Sequence, residues 1–193
     1  MVLPYAIVQT LWVHDNLWLE LLAIVITAYV FYYNTQKQPV QSNMKWTKKL
    51  AICVAGVITI VIVNVLLSLL FTHSGNTANQ NALTKMMNKQ EFKLFVLTGF
   101  IAPVFEETIY RRDIIKFSSK KALLISSIIS AFIFAFSHMM GMPFSEFGKI
   151  ILYLAPACIL VGVYDWTKDV RCSMLTHCMY NLLAFLEMII SIG

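Results

Sequence analysis

Apolar positions along this chain gather into long runs, not into alternating or one-sided patterns. Five runs are nearly uninterrupted: LWLELLAIVITAYVFYY (17–33), LAICVAGVITIVIVNVLLSLLFT (50–72), ALLISSIISAFIFAFSHMM (122–140), IILYLAPACILVGVY (150–164) and CSMLTHCMYNLLAFLEMIISI (172–192). A sixth starts near Phe92 and continues into an acidic stretch, FEETIYRRD (105–113). About 20 apolar residues of helix cross the hydrocarbon core of a bilayer. The pattern therefore predicts an all-α fold, a polytopic membrane helix bundle of about six transmembrane helices, with 1–193 forming a single membrane domain. The later runs are short for a span, which predicts tilted or partly embedded helices. The leading stretch MVLPYAIVQTLWVHDN (1–16) is apolar over only about a dozen residues, too few to cross. It has no positively charged start, so it does not read as a cleaved signal peptide. Its expected place is the interface, or an extension of the first span. Polar connectors fill the gaps at 34–49, 73–91, 116–121, 141–149 and 165–171, with 73–91 expected to be partly irregular.

Composition agrees with a membrane-embedded chain: 59% of residues are hydrophobic and 13% charged, against about 25% charged in soluble domains. The net charge of +5 first concerns orientation. Lys37, Lys45, Lys48, Lys49, Arg111, Arg112, Lys116, Lys120, Lys121, Lys168 and Arg171 fall in one set of alternate loops. Lys85, Lys89, Lys93 and Lys149 fall in the other, 11 against 4 of the 15 basic residues. The richer set is expected in the cytoplasm and both termini outside. No basic face or motif points to nucleic acid. The cysteines, Cys53, Cys158, Cys172 and Cys178, sit in or beside apolar runs without paired spacing, so they read as small buried hydrophobes.

Charge inside a membrane span is costly and marks function by default. Glu106 and Glu107 stand in the third span, His138 late in the fourth, and His177 in the sixth with Asn181 four residues on. Residues four apart share a helix face, so Glu107 can pair with Arg111, whose guanidinium can hold a carboxylate bidentately. Glu106 points about 100° away and is left free to work. Phe134 lies one turn before His138 and can pack on its ring. Taken singly, each has a structural explanation: an interhelical hydrogen bond for either histidine or Asn181, a structural ion pair for Glu107 and Arg111. Glu20 and Glu187 lie near span ends and read as interfacial, and His14 and His73 receive no role. It is the coincidence of all these groups on three spans that points to chemistry.

A buried carboxylate with a histidine can activate water as a general base. A second histidine and an amide can donate to a developing oxyanion. Together they describe peptide hydrolysis without a covalent intermediate. A serine route is less attractive: Ser137 adjoins His138, but no G-x-S-x-G surrounds it. Two histidines and a glutamate could also hold zinc, but there is no H-E-x-x-H, and a metal is not favoured.

EETIYR (106–111) resembles the E-E-x-x-x-R motif of the CAAX protease and bacteriocin-processing family, also called the Abi family. FAFSH (134–138) and HCMYN (177–181) resemble its F-x-x-x-H and H-x-x-x-N motifs, and GVYDWTKDVRCSMLTH (162–177) resembles the segment leading into the last one. The likeness covers roughly residues 90–190. It implies a glutamate-dependent intramembrane endopeptidase. In that role Glu106 and His138 would activate water, His177 and Asn181 would form the oxyanion site, and Glu107 and Arg111 would brace the motif. It also implies a membrane-associated peptide or protein as substrate and, by analogy with bacterial relatives, a bacterial cell membrane and a part in bacteriocin self-immunity or peptide maturation. Arg112 stands where many members have glycine, and many members have more than six spans. Two rivals remain: a non-proteolytic immunity or scaffold protein, and a proton-coupled transporter, the latter disfavoured by the lack of repeats and of paired broken helices.

One expectation concerns depth. With straight spans at 1.5 Å per residue, His138 falls about 10–15 Å too far outward to meet Glu106. The third helix is therefore expected to continue through Ile115 or beyond, with its charges at 111–117 in a cavity or at the interface.

Overall fold

The computed structural model describes residues 2–14, 16–70, 91–140 and 144–192, and among these it is all helix with no strand. The connector expected at 73–91, with His73, Lys85 and Lys89, lies almost entirely outside the described residues. Helix α1 spans Val2–Val13, α2 Leu17–Gln36 and α3 Trp46–Leu70. Helix α4 covers 91–113. Helix α5 spans Lys120–Met139, and α6, Ile151–Thr167, follows a tighter 3-10 turn over Phe144–Ile150. Helix α7 spans Val170–Ile192. Among the described residues, five helical stretches are long and apolar enough to cross a membrane: Leu17–Gln36, Trp46–Leu70, Lys120–Met139, Phe147–Thr167 and Val170–Ile190. With α4 they make about six, in an integral membrane protein. The expected shortness of the later spans is corrected. Helical turns beyond the apolar runs bring them to 20 or 21 residues.

Each run became a helix because a backbone in lipid must satisfy its own polar groups. The outward faces are apolar. Ile58, Ile62, Val65 and Leu66 of α3, and Ile125, Ile128, Ile129 and Phe132 of α5, are exposed toward what lipid would cover. Between helices the packing relies on small residues and a few polar contacts. A Cβ on Gly56 of α3 would lie 2.8 Å from Val163 of α6 and 3.0 Å from Thr176 of α7, so glycine lets three helices meet. Asn34 of α2 donates to Thr108 Oγ1 of α4 at 2.8 Å, tying α2 to the acidic helix.

Helix α4 carries two wide turns with π-type hydrogen bonding, at Leu97–Ile101 and Thr108–Asp113, on either side of a regular segment, Ala102–Glu107. Pro103 has no N–H for the residue four back, which favours the first irregularity. The helix ends at Asp113, not beyond Ile115 as expected, and the Ile115 N–H closes on Arg111 O at 3.0 Å. Arg112, Asp113 and Lys116 line an open cleft of about 650 Å³ with Pro39 and Phe117, whereas Arg111 is wholly inside the bundle.

Three connectors meet at one end. Arg112 Nε donates to Lys37 O at 3.1 Å, Gln38 Oε1 accepts from Val170 N at 3.3 Å, and Lys49 Nζ pairs with Asp169 at 2.7 Å. The basic loops assigned to one side of the membrane therefore do lie together. At the other end, Lys93 pairs with Glu20 at 2.7 Å. Helix α7 runs antiparallel to α4: Phe185 packs on Phe95 at 5.3 Å between ring centroids, and Asn181 reaches Thr98. The leading stretch does not extend the first span. It folds back as α1, buries Val8 and Trp12, and donates from Trp12 Nε1 to Lys93 O at 2.9 Å.

Candidate active site

The regular segment of α4 presents both glutamates to the middle of the bundle. Glu107 is fully buried and Glu106 is 9% exposed. They leave the helix about 100° apart, and one side chain spans that angle. His177 on α7 places Nδ1 2.9 Å from Glu107 Oε1 and Nε2 3.8 Å from Glu106 Oε2. Ser173, one turn before His177, donates to Glu107 Oε2.

Arg111 follows Glu107 by four residues and sets Nε 3.1 Å from Glu107 Oε2, with both side chains fully buried. The expected bidentate grip is not formed. Nη1 instead donates to Ser130 Oγ of α5 at 3.0 Å, and Nη2 has no hydrogen-bond partner among the described residues. Nε is close enough for an ion pair but is not aligned for a hydrogen bond. We attribute the poor alignment to the wide turn at Thr108–Asp113, which shifts the arginine off the ideal i, i+4 position. The guanidinium lies instead over the Phe134 ring, 4.9 Å from its centroid.

Phe134 is the hub that joins the distant histidines. The His138 ring centroid is 4.4 Å from it and that of His177 5.8 Å. Side-chain direction takes up part of the depth offset expected from straight spans. Helical side chains lean toward the N-terminus, and His138 leans far enough for Nδ1 to bond Phe134 O at 2.9 Å. A carbonyl only accepts, so Nδ1 is the donor in this bond. Tyr153 of α6 stacks on the other face of His138 at 5.2 Å.

Asn181 donates from Nδ2 to Thr98 O at 2.8 Å, inside the first wide turn of α4. One amide hydrogen is thus engaged and a second is available. Glu106 is not left bare, as the spacing argument held. Tyr5 of α1 donates its hydroxyl to Glu106 Oε1 at 2.9 Å.

Sequence reasoning missed Tyr5, Ser130, Ser173 and Tyr153. Ser173 had a signal, standing four residues before His177 on the same face, as Ser130 does before Phe134. Tyr5 and Tyr153 had none, because only the tertiary fold brings them here.

With this geometry in place, the comparisons are specific. Residues 88–183 match the family described as Type II CAAX prenyl endopeptidase Rce1-like. That stretch contains Glu106, Glu107, Arg111, Phe134, His138, His177 and Asn181. The chain belongs to the Rce1-like branch of the CAAX protease and bacteriocin-processing family.

Among curated relatives, the UPF0177 protein YaiH of Lactococcus lactis subsp. lactis is 32% identical over 94 residues, 48% of this chain and 36% of that protein. An uncharacterized protein of Mycoplasma capricolum subsp. capricolum is 26% identical over 174 residues, 82% of this chain and 50% of that protein. The chain thus spans half or less of the curated relatives it matches. No solved structure matches it. Membership of the Rce1-like family supports a membrane endopeptidase type of function. It leaves α1, α2 and α3 outside the matched region.

Proposed function

We propose that the chain hydrolyses a peptide bond of a membrane-associated substrate, with Glu106 as the base that activates water. The observation that carries the reading is the bridging His177, with one nitrogen on Glu107 and the other facing Glu106. A gap of 3.8 Å lets one water touch both groups, since each hydrogen bond is about 2.8 Å long. Glu106 takes a proton from that water, and the hydroxide oxygen adds to the peptide carbonyl carbon. The carbonyl π electrons move to oxygen. The same proton then passes to the leaving nitrogen while the oxyanion electrons re-form the carbonyl and the C–N bond breaks, leaving a carboxylic acid and an amine that exchange a proton to carboxylate and ammonium.

The attacking oxygen and the oxyanion share one carbon, so the donor next to Glu106 is in place for the oxyanion. His177 can donate from Nε2 as an imidazolium, with Glu107 at 2.9 Å as its counter-ion. Asn181 supplies its second amide hydrogen. His138, with Nδ1 held by Phe134 O, offers Nε2 to share the proton of Glu106. Glu107, Arg111 and Phe134 fix these groups in position. The reading needs no metal. Its substrate is a peptide or protein segment at the bilayer, and family analogy suggests bacteriocin self-immunity or peptide maturation in a bacterial cell membrane. The basic end faces the cytoplasm and the end of α7 faces outward, whereas α1 starts near the level of Glu106 and rises to the Lys93 end, against the expectation that both termini lie outside.

The test compares membrane peptides from cells making wild type, Glu106→Gln and His138→Ala at matched levels. Cleavage products drop by about 100-fold or more in both variants, and wild-type protein keeps its activity after chelator dialysis. Unchanged products and an unchanged phenotype in both variants would instead support a non-proteolytic binding role.

A further inference from the structure

We propose that Tyr5, outside the family-matched segment, is a positioning residue for Glu106: its hydroxyl pins one carboxylate oxygen so that the other faces His177. The proposal rests on the catalytic reading of Glu106 above. Tyr5 donates to Glu106 Oε1 at 2.9 Å, while Glu106 Oε2 is the oxygen that faces His177 Nε2. A carboxylate rotates about its last bond with little preference, so a donor on one oxygen decides where the other points. The Tyr5 ring is stacked on Phe105, the residue before Glu106, with centroids 5.3 Å apart and planes 15° from parallel. The hydroxyl is therefore aimed by a fixed ring.

The ring is in turn fixed by its helix. Val8 and Trp12 of α1 are 0% and 2% exposed, and Trp12 Nε1 holds the Lys93 carbonyl of α4. Tyr5 and Trp12 thus anchor α1 to α4 at two levels, one beside Glu106 and one at the Lys93 end. Glu107 has three protein groups around its carboxylate: Arg111, His177 and Ser173. Tyr5 gives Glu106 a hydrogen-bond donor of its own, and it comes from a helix that the family match does not reach.

The experiment labels the full chain in liposomes with dicyclohexylcarbodiimide, which attacks protonated carboxyls, and maps the adducts by peptide mass spectrometry. Tyr5→Phe keeps the ring stack and removes only the donor. Glu106 in Tyr5→Phe is labelled about tenfold faster at pH 7 than in wild type, while Glu107 labelling is unchanged. The thermal midpoint stays within about 2 °C of wild type, and cleavage products in the membrane-peptide comparison fall about tenfold. Val8→Asp, which lifts α1 off, is the comparator and lowers the midpoint clearly. Equal Glu106 labelling in wild type and Tyr5→Phe overturns the proposal. So does a Tyr5→Phe variant that melts like Val8→Asp, which makes Tyr5 mere packing, and so does a rise in products, which makes α1 a plug. Faster Glu106 labelling together with unaffected cleavage in Glu106→Gln would retain the contact and refute the catalytic reading alone.

Discussion

Arg111 offers the most direct measurement of how the site is held. Its Nε is 3.1 Å from Glu107 Oε2, with neither side chain exposed. At an effective dielectric constant of about 20, two unit charges at that distance attract by about 5 kcal/mol before desolvation is counted. Arg111→Leu removes this attraction, the Nη1 bond to Ser130 and the stack on Phe134. It leaves Glu107 buried with only His177 and Ser173. Removing one partner of a buried pair costs about 3–5 kcal/mol. Glu107→Gln leaves the arginine unpaired and costs a similar amount. The double variant has no stranded charge, so its loss falls at least about 2 kcal/mol short of the sum. The assay is reversible unfolding in mixed micelles, with the four proteins forming a double-mutant cycle. A loss under about 1 kcal/mol for Arg111→Leu, or additivity within about 0.5 kcal/mol, would refute the idea that this pair carries the local stability.

Three further outcomes follow from other contacts. Asp169, in the α6–α7 turn, is pushed up by burial, but hydrogen bonds from Arg171 and Lys49 outweigh this and hold its carboxyl below the ordinary value. Its stabilising contribution is present above the unfolded-state value near pH 4 and is lost as pH falls through the lower folded value, so Asp169→Asn flattens that part of the stability–pH curve. Gly56→Ala places a methyl 2.8 Å from Val163 Cγ2 and lowers stability by about 1–3 kcal/mol, with partial recovery in Gly56→Ala/Val163→Ala, read from thermal midpoints. Asn181→Leu removes the bond to Thr98 O for about 0.6 kcal/mol of stability. It lowers cleavage products by about 100-fold, so stability and turnover separate.

Much of the bundle was legible because lipid permits so few backbone solutions. The apolar runs marked the helices to within a few residues, and the basic loops counted as one set do lie together through Arg112, Lys49 and Gln38. The Glu107–Arg111 pair was legible from spacing alone. Its geometry was not, because the wide turn at Thr108–Asp113 changes the phase that ideal spacing assumes. For His138, rise counted along the axis leaves out the backward lean of helical side chains, which carries Nδ1 to Phe134 O. Tyr5 was illegible for a different reason. Its contact spans 101 residues, and nothing periodic in residues 2–13 names a partner.

The two adjacent glutamates are less alike than their sequence suggests, and the asymmetry has a mechanical cause. Glu107 faces α7 and the arginine of its own helix, so fixed donors converge on it. By gripping His177 Nδ1 it also decides that Nε2 is the nitrogen turned toward Glu106. A carboxylate held this firmly is a poor base, because taking up a proton would break its ion pair and its hydrogen bonds. Glu106 faces α1, where Tyr5 meets one oxygen and leaves the other toward His177. On the proposed reading, Glu106 is therefore the base and Glu107 the group that holds His177. A single imidazole couples them, since any tilt of Glu107 also moves the Nε2 that Glu106 faces. Glu107→Asp, which shortens that grip by one methylene while keeping the charge, should thus slow cleavage through His177 without touching the reacting atoms.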